Sequence, residues 1–336
     1  MHEPTLSTAE PTVGRIAIEA YGDASVLTFE RAALPPPAAG EVRVRHTAIG
    51  VNFVDVYHRA GRYALPALPG VPGVEAAGVV EAVGPGVESL RPGQRVAYAG
   101  LPAGAYATGR NLAASRLVAL PDDVDDDTAA SLLLRGITAH MLFTRVRPLR
   151  AGDTVLVHAA AGGLGLVLTQ WAKALGATVI GTVGSAAKAE LALRHGLDHA
   201  ILYRERDFAA GVLELTDGRG VDYAIDGIGG QTLLDTLGAV RPFGMVASVG
   251  QVAAGGTPAI DPERLGPVRS IALARPSVLR FIADPAQYRE GAQATLDRLR
   301  AGLRPVVGAA LPLERAADAH RLLESGAGAG AILLRP

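Results

Sequence analysis

The run Val155-Leu156-Val157-His158-Ala159-Ala160-Ala161-Gly162-Gly163-Leu164-Gly165 holds the residues whose types and spacing most directly imply chemistry. Ala160-x-Gly162-x-x-Gly165 falls on the glycine positions of a dinucleotide fingerprint, with alanine in the first. Such a turn binds a pyrophosphate. Gly162 lets the backbone approach the anion, and Gly165 lets the next helix lie close to its strand. Free N–H groups at the positive end of that helix hold the charge. Ala161, Gly162, Gly163, Leu164 and Gly165 are therefore cofactor-binding candidates. The context fits, because a strand is expected up to His158, a helix over Leu166 to Leu175 and a second strand over Thr178 to Val183. Glycines used only for packing in a βα turn are the alternative.

The second strand bears on which dinucleotide. Turns that select a free ribose 2′-hydroxyl usually place Asp or Glu about 20 residues after the first glycine. Here that region is Thr182-Val183-Gly184-Ser185, with no carboxylate. A 2′-phosphate meets no repulsion beside Gly184, Ser185 can donate a hydrogen bond to it, and Lys188 can neutralise it. NADPH is the expected cofactor. An ordinary solvated helix lysine is the other reading of Lys188. Gly250 and Gln251, at the end of a later strand, are expected beside the nicotinamide ribose or carboxamide.

These residues need a scaffold, and the chain offers two. From Gly14 to about Leu120, short alternating segments such as Val42-Arg43-Val44-Arg45 are broken by Gly and Pro, which predicts a compact β-rich domain. Beyond Asp126, a helical pattern covers Thr128 to Phe143, with an expected break near Gly136. Strands and helices then alternate. Helices are expected over Ala186 to His195 and Gln231 to Leu237, and strands over Tyr223 to Asp226 and Gly244 to Val249. The fold class is thus α/β, with a doubly wound parallel sheet that binds ligands at the carboxyl ends of its strands. The tail predicts helices over Pro285 to Ala301 and Leu313 to Glu324 and a strand over Ala331 to Leu334. It is expected to return to the first domain. The expected limits are 12–136 with 277–336 for the β-rich domain, and 137–276 for the dinucleotide-binding domain.

Composition narrows the function. The chain has 336 residues, 49% of them hydrophobic, and a formal net charge of -1. That near-neutral balance gives no reason to expect a nucleic acid or membrane partner. No apolar run approaches the length of a membrane span. The polar segment Met1 to Pro11 lacks the apolar core of a signal peptide and is expected to be a poorly ordered lead-in, so the expected compartment is the cytoplasm. The absence of cysteine rules out disulfides, cysteine nucleophiles and thiolate zinc sites. No metal site is expected.

Several segments in order resemble the zinc-independent NADPH:quinone oxidoreductases (zeta-crystallin-like) of the medium-chain dehydrogenase/reductase superfamily. They are Gly50-Val51-Asn52-Phe53-Val54-Asp55-Val56-Tyr57, Pro69-Gly70-Val71-Pro72-Gly73-Val74-Glu75-Ala76-Ala77-Gly78, the glycine turn, and Gln170-Trp171-Ala172-Lys173-Ala174-Leu175-Gly176-Ala177. The resemblance covers nearly the whole chain. It implies a GroES-like domain, a Rossmann domain, reduction of quinones and a homodimer, here expected through the sheet edge near Gly244 to Val249. It also implies that Asn52 and Tyr57 lie near nicotinamide and substrate, with Tyr63 and Arg62 at the mouth of the site. Asn52 as a turn residue and Tyr57 as a core aromatic are the alternatives.

The same resemblance puts Thr138 near the nicotinamide, although a helix threonine bonding its own backbone fits as well. Tyr203 matches a tyrosine beside the 2′-phosphate, with Arg204 as a helper. Arg275 and Ser277 match another cofactor contact. Gly326 stands where some members carry an arginine that reaches the 2′-phosphate. Without cysteine-held zinc, negative charge developing on the substrate must be met by hydrogen bonds. That favours quinones or enones, whose anions are delocalised. Reduction of an activated C=C bond and binding without turnover remain alternative functions.

Overall fold

The computed structural model describes residues 11–253 and 258–336, so Met1 to Glu10 of the expected lead-in lie outside the described residues. The chain forms two compact units. One comprises residues 1–130, 310–321 and 333–336, and the other 131–309 and 322–332.

The first unit carries β1 (Thr12–Ala17), β2 (Thr28–Ala33), β3 (Glu41–Val51), α1 (Phe53–Arg59), β4 (Glu75–Val83), β5 (Arg95–Ala99), β6 (Gly109–Ala113) and β7 (Val118–Ala119). β3 is the centre of its sheet and pairs antiparallel with β4 and β6, while β4 continues to β5. The alternation read at Val42 to Arg45 holds. Val42 and Val44 are fully buried, whereas Arg43 and Arg45 are not. Gly78 lets the two central strands meet, because a Cβ there would lie 2.1 Å from the Arg45 carbonyl oxygen. Helix α1 begins directly after β3. The Asn52 N–H donates to Asp55 Oδ2 at 2.8 Å and so satisfies a donor at the helix start.

The second unit is built on α2 (Asp126–Met141), β8 (Thr154–Val157), α3 (Gly163–Ala174), β9 (Thr178–Val183), α4 (Ala186–Arg194), β10 (His199–Leu202), α5 (Phe208–Leu215), β11 (Val221–Asp226), α6 (Gly230–Ala239), β12 (Val240–Ser248), β13 (Ala272–Ala274), α7 (Val278–Phe281) and α8 (Pro285–Arg300). β14 (Val307–Pro312), α9 (Ala316–Ser325) and β15 (Ala331–Arg335) complete the chain. Its six strands are parallel, in the order β10-β9-β8-β11-β12-β13. That is the Rossmann order, with the switch of direction at β8. Strands covered on both faces read as apolar runs. Accordingly Leu156, Ile180, Val221, Ala224 and Val246 form one core.

Two expectations are corrected. α2 is unbroken at Gly136 and ends instead in a π-helical turn over Leu142–Val146. Gly136 serves helix packing, since a Cβ there would lie 2.3 Å from Thr295 of α8. Helix α3 starts at Gly163, three residues before the expected Leu166, because the last two fingerprint glycines already belong to its first turn. The compact units also divide the tail. Residues 277–309 pack within the second unit, whereas the expected limits give them to the first domain. The reason lies in α8, where Gly291 and Thr295 seat directly on Ile137 and Gly136. No described helix is long and apolar enough to cross a membrane.

Candidate functional site

The three glycines of the turn each have a distinct physical reason. Ala159 turns the chain with φ 51, and the Ala160 N–H donates to the Thr182 carbonyl at 3.0 Å. Ala160 is fully buried, and a Cβ on Gly181 would come within 2.5 Å of its side chain, so only a small residue fits the first position. Gly162 is the N-cap of α3, and a Cβ there would meet only the Ala159 oxygen, at 3.1 Å. This side of the turn is open. A Cβ on Gly165 would lie 2.3 Å from that same oxygen, which explains the close strand–helix approach. The first N–H groups of α3, from Gly163, Leu164 and Gly165, have no partner within the helix, as at any helix start.

Two features here escaped the sequence reading. A Cβ on Gly163 would lie 2.8 Å from Arg135 Nε, so a buried guanidinium stands at the positive end of α3. The Gly330 N–H donates to the Ala161 carbonyl at 2.9 Å, which fastens the tail to the turn. Neither contact has a local signal, although Arg135 stands only three residues before Thr138.

The residues expected at the 2′-phosphate converge at the carboxyl ends of β9 and β10. Ser185 caps α4 and accepts from the Lys188 N–H at 3.4 Å. A Cβ on Gly184 would lie 3.2 Å from Tyr203 Oη and 3.5 Å from Arg204 Nε. The Arg204 guanidinium lies 6.0 Å from the centre of the Tyr203 ring. Lys188 Nζ donates to the Gly326 carbonyl oxygen. Gly326 has φ +62 and open space around it. The position without the arginine is thus joined to the lysine through its backbone.

The other half of the sheet edge carries Gly250, Gln251 and Arg275. Gly250 must be glycine, since a Cβ there would lie 2.1 Å from the Gly227 oxygen. Arg275 donates to Gln251 Oε1 at 3.2 Å, so these two candidates meet. The missed residue here is Asp226. Its fully buried carboxylate accepts from the N–H groups of Ile228 (2.8 Å) and Gly229 (3.0 Å). Burial raises its pKa against the pull of those two bonds. The Asp followed by Gly-Ile-Gly-Gly at a strand end was the available signal. Ser277 accepts from the Arg280 N–H at 3.3 Å and caps α7.

Below the glycine turn, His158 bonds Thr182 Oγ1 through Nδ1 (2.9 Å) and Thr236 Oγ1 through Nε2 (2.8 Å). The Thr236 hydroxyl donates its proton to the Thr232 carbonyl. His158 therefore carries its proton on Nε2 and accepts on Nδ1. Burial holds its pKa down at about 4. Thr138 donates to the Leu134 carbonyl at 2.7 Å, so its proton is committed to its own helix while its lone pairs remain.

In the first unit, Asn52 is tied on two sides. Its Nδ2 donates to Glu75 Oε2 at 2.8 Å, and its N–H donates to Asp55. Asp55 and Glu75 are fully buried. A polar chain continues inward with a fixed sense. Arg59 donates to His320 Nδ1 (3.3 Å), and Tyr106 Oη lies 2.9 Å from His320 Nε2 and donates to Asp55 Oδ2 (3.2 Å). Burial and the Arg59 charge push the His320 pKa down to about 3, so it is neutral. Because Nδ1 accepts from Arg59, Nε2 carries the proton and donates to Tyr106. Tyr57 and Tyr63 meet edge to face, with ring centres 5.3 Å apart. Glu75, Tyr106 and His320 were not singled out from sequence. A lone carboxylate within the apolar run Val74-Glu75-Ala76-Ala77 was the one usable hint.

Among the described residues, no group of three or more His, Cys, Asp or Glu is arranged to hold a metal ion. Residues 38–122 match the alcohol dehydrogenase GroES-like domain, and residues 163–295 match the domain described as zinc-binding dehydrogenase. A 2-haloacrylate reductase from a Burkholderia species is 41% identical, over 95% of this chain and 98% of that protein. A quinone oxidoreductase from Pseudomonas aeruginosa is also 41% identical, over 96% of this chain and 99% of its own. The crystal structure of Escherichia coli quinone oxidoreductase complexed with NADPH superposes with a TM-score of 0.92 at 36% identity, covering 97% of this chain and all of that one. With two domain matches in order and relatives this similar over their full lengths, the chain belongs to the quinone oxidoreductase family of the medium-chain dehydrogenase/reductase superfamily.

Proposed function

We propose that this protein reduces quinones with NADPH and without a metal ion. The observation that carries the reading is the meeting of Gly184, Ser185, Lys188, Tyr203 and Arg204 at one carboxyl edge of the sheet that also bears the open glycine turn. That edge offers two cations and two hydroxyls, and the β9 terminus presents no carboxylate, which suits a 2′-phosphate. The space beside Gly162 and the N–H groups of Ala161, Gly163, Leu164 and Gly165 suit a pyrophosphate.

When bound, NADPH supplies the hydride. The protein's part is to bind, orient and stabilise. Lys188 and Tyr203 hold the 2′-phosphate, with Ser185 donating from the α4 cap. Gly250, Gln251, Arg275 and Ser277 hold the ribose and carboxamide region, and Thr138 can accept from an amide N–H through its lone pairs. Asn52 keeps one amide N–H beyond the one given to Glu75. With the Tyr57 phenol it can donate to an acceptor oxygen that gains negative charge. Tyr63 lines the acceptor side. The carboxylates of Asp55 and Glu75 fix Asn52 rather than take part in proton transfer.

A second reading is reduction of an activated C=C bond, favoured by the similarity to a 2-haloacrylate reductase. Both need the same cofactor geometry. The chain's charge of -1 supports a small-molecule partner rather than nucleic acid or membrane, and the proposed compartment is the cytoplasm. The proposed assembly is a homodimer through the β13 edge of the parallel sheet. There Phe243 and Val268 are 81% and 92% exposed, and the Phe243 N–H donates to the Ser270 carbonyl. Large apolar side chains beside an unpaired strand suit a second copy.

The test is to mix purified protein with NADPH or NADH and with benzoquinone or phenanthrenequinone, and to follow the reduced-nicotinamide absorbance. Acceptor-dependent loss with NADPH and little with NADH is the expected result. NADPH binding without turnover of any quinone overturns it, and turnover of 2-haloacrylate alone moves the assignment to the second reading.

A further inference from the structure

The loop that follows α1 is fastened at three points. Gly61 has φ +74, and a Cβ on it would lie 2.8 Å from the Tyr21 ring. Tyr21 Oη accepts from the Leu65 N–H at 3.1 Å. The Tyr63 N–H donates to the Tyr57 carbonyl at 3.1 Å. Between these ties stand Arg62 and Tyr63, both exposed. The Arg62 guanidinium carbon lies 5.8 Å from the Tyr57 ring centre, within cation–π range. Tyr63 packs edge-on to that ring and keeps 40% of its surface exposed. A rigid aromatic wall thus carries a permanent cation at its rim.

Each part has a recognisable counterpart. Aromatic rings suit a planar conjugated molecule. A planar guanidinium suits a carboxylate or sulfonate and can bind it through two parallel hydrogen bonds. The ties at Gly61, Tyr63 and Leu65 mean that little loop freedom is left to lose on binding. A charged substituent beside the reducible bond also opposes the arrival of hydride, and a cation at that place relieves the opposition. We propose that Arg62 makes this protein select planar conjugated acceptors that carry an anionic group. The proposal rests on the reading that Tyr57 and Tyr63 face the acceptor.

The test compares naphthoquinone with its sulfonate, using NADPH and the wild-type, Arg62→Gln and Arg62→Lys proteins. The readout is the ratio of kcat/KM for the sulfonate to that for the neutral quinone, from which any general loss of active protein cancels. The wild type should favour the sulfonate, and more so at low salt. Arg62→Gln should lower the ratio about fivefold, as expected for one exposed ion pair, and Arg62→Lys should restore part of it. A ratio that Arg62→Gln leaves within about twofold, while the neutral quinone is still reduced, overturns the role of Arg62 and leaves the quinone reductase reading intact. If neither acceptor is reduced, both fall.

Discussion

Replacing Lys188 with alanine separates the proposed 2′-phosphate contact from the rest of cofactor binding. Lys188 is half-buried at the first turn of α4 and donates to the Gly326 carbonyl. An ammonium has three N–H groups, so two remain for a phosphate. Hydrogen bonds to charged groups contribute about 1.5–3 kcal/mol, and partial exposure favours the lower end. A loss of about 1.5–2 kcal/mol weakens NADPH binding roughly 10- to 30-fold. NADH lacks the phosphate and should change by less than about twofold. The alanine variant also releases the Gly326 loop, a loss that both cofactors share. The ratio of the two dissociation constants is therefore the quantity to read, by fluorescence titration. Lys188→Gln keeps a donor for the Gly326 carbonyl without the charge and should shift the ratio as far as alanine does. The wild-type preference should also shrink as salt is raised, while that of the variants stays nearly flat. Equal weakening of NADPH and NADH would refute the reasoning and return Lys188 to an ordinary helix lysine.

The buried His158 predicts a pH dependence of stability. Its pKa is near 6.5 in the unfolded chain and about 4 when folded, so the unfolded chain binds more protons between those values. Stability should fall as pH drops through that window, by about 2 kcal/mol from pH 6.5 to 5 for this histidine alone. Urea unfolding followed through Trp171 should show a slope smaller by about one proton in His158→Gln. An unchanged slope would mean that another group dominates. At the sheet edge, Phe243→Asp should convert a dimer to a monomer in analytical ultracentrifugation, and a wild-type protein that sediments as a monomer would remove that proposal.

Much of the second unit was legible because its signals are local. The strand before the glycine turn is a run of Val and Leu, the two later fingerprint glycines open a helix, and Ser185 caps the next one. Each is decided within a few residues by hydrogen bonding or by the lack of a Cβ. Some local signals were passed over. Asp207 caps α5 by accepting from Ala209 and Ala210, and that helix follows the short strand β10. Gly136 was misread because a glycine within a helix pattern signals a break as readily as a close neighbour. Thr295, the neighbour that requires it, stands more than a hundred residues further on.

By itself, the sequence determined the types and order of the elements, the glycine turn and the lack of a carboxylate after the second strand. It also determined the lack of cysteine and so the lack of thiolate ligands. Only the tertiary structure decided which polar groups meet. Asn52 binds Glu75, Lys188 binds Gly326, Tyr106 stands between Asp55 and His320, and Arg135 faces Gly163. These partners are far apart in the chain, and no propensity or periodicity links them. Such a contact exists only where packed elements bring two groups within hydrogen-bond reach and exclude the water that would otherwise satisfy each of them alone.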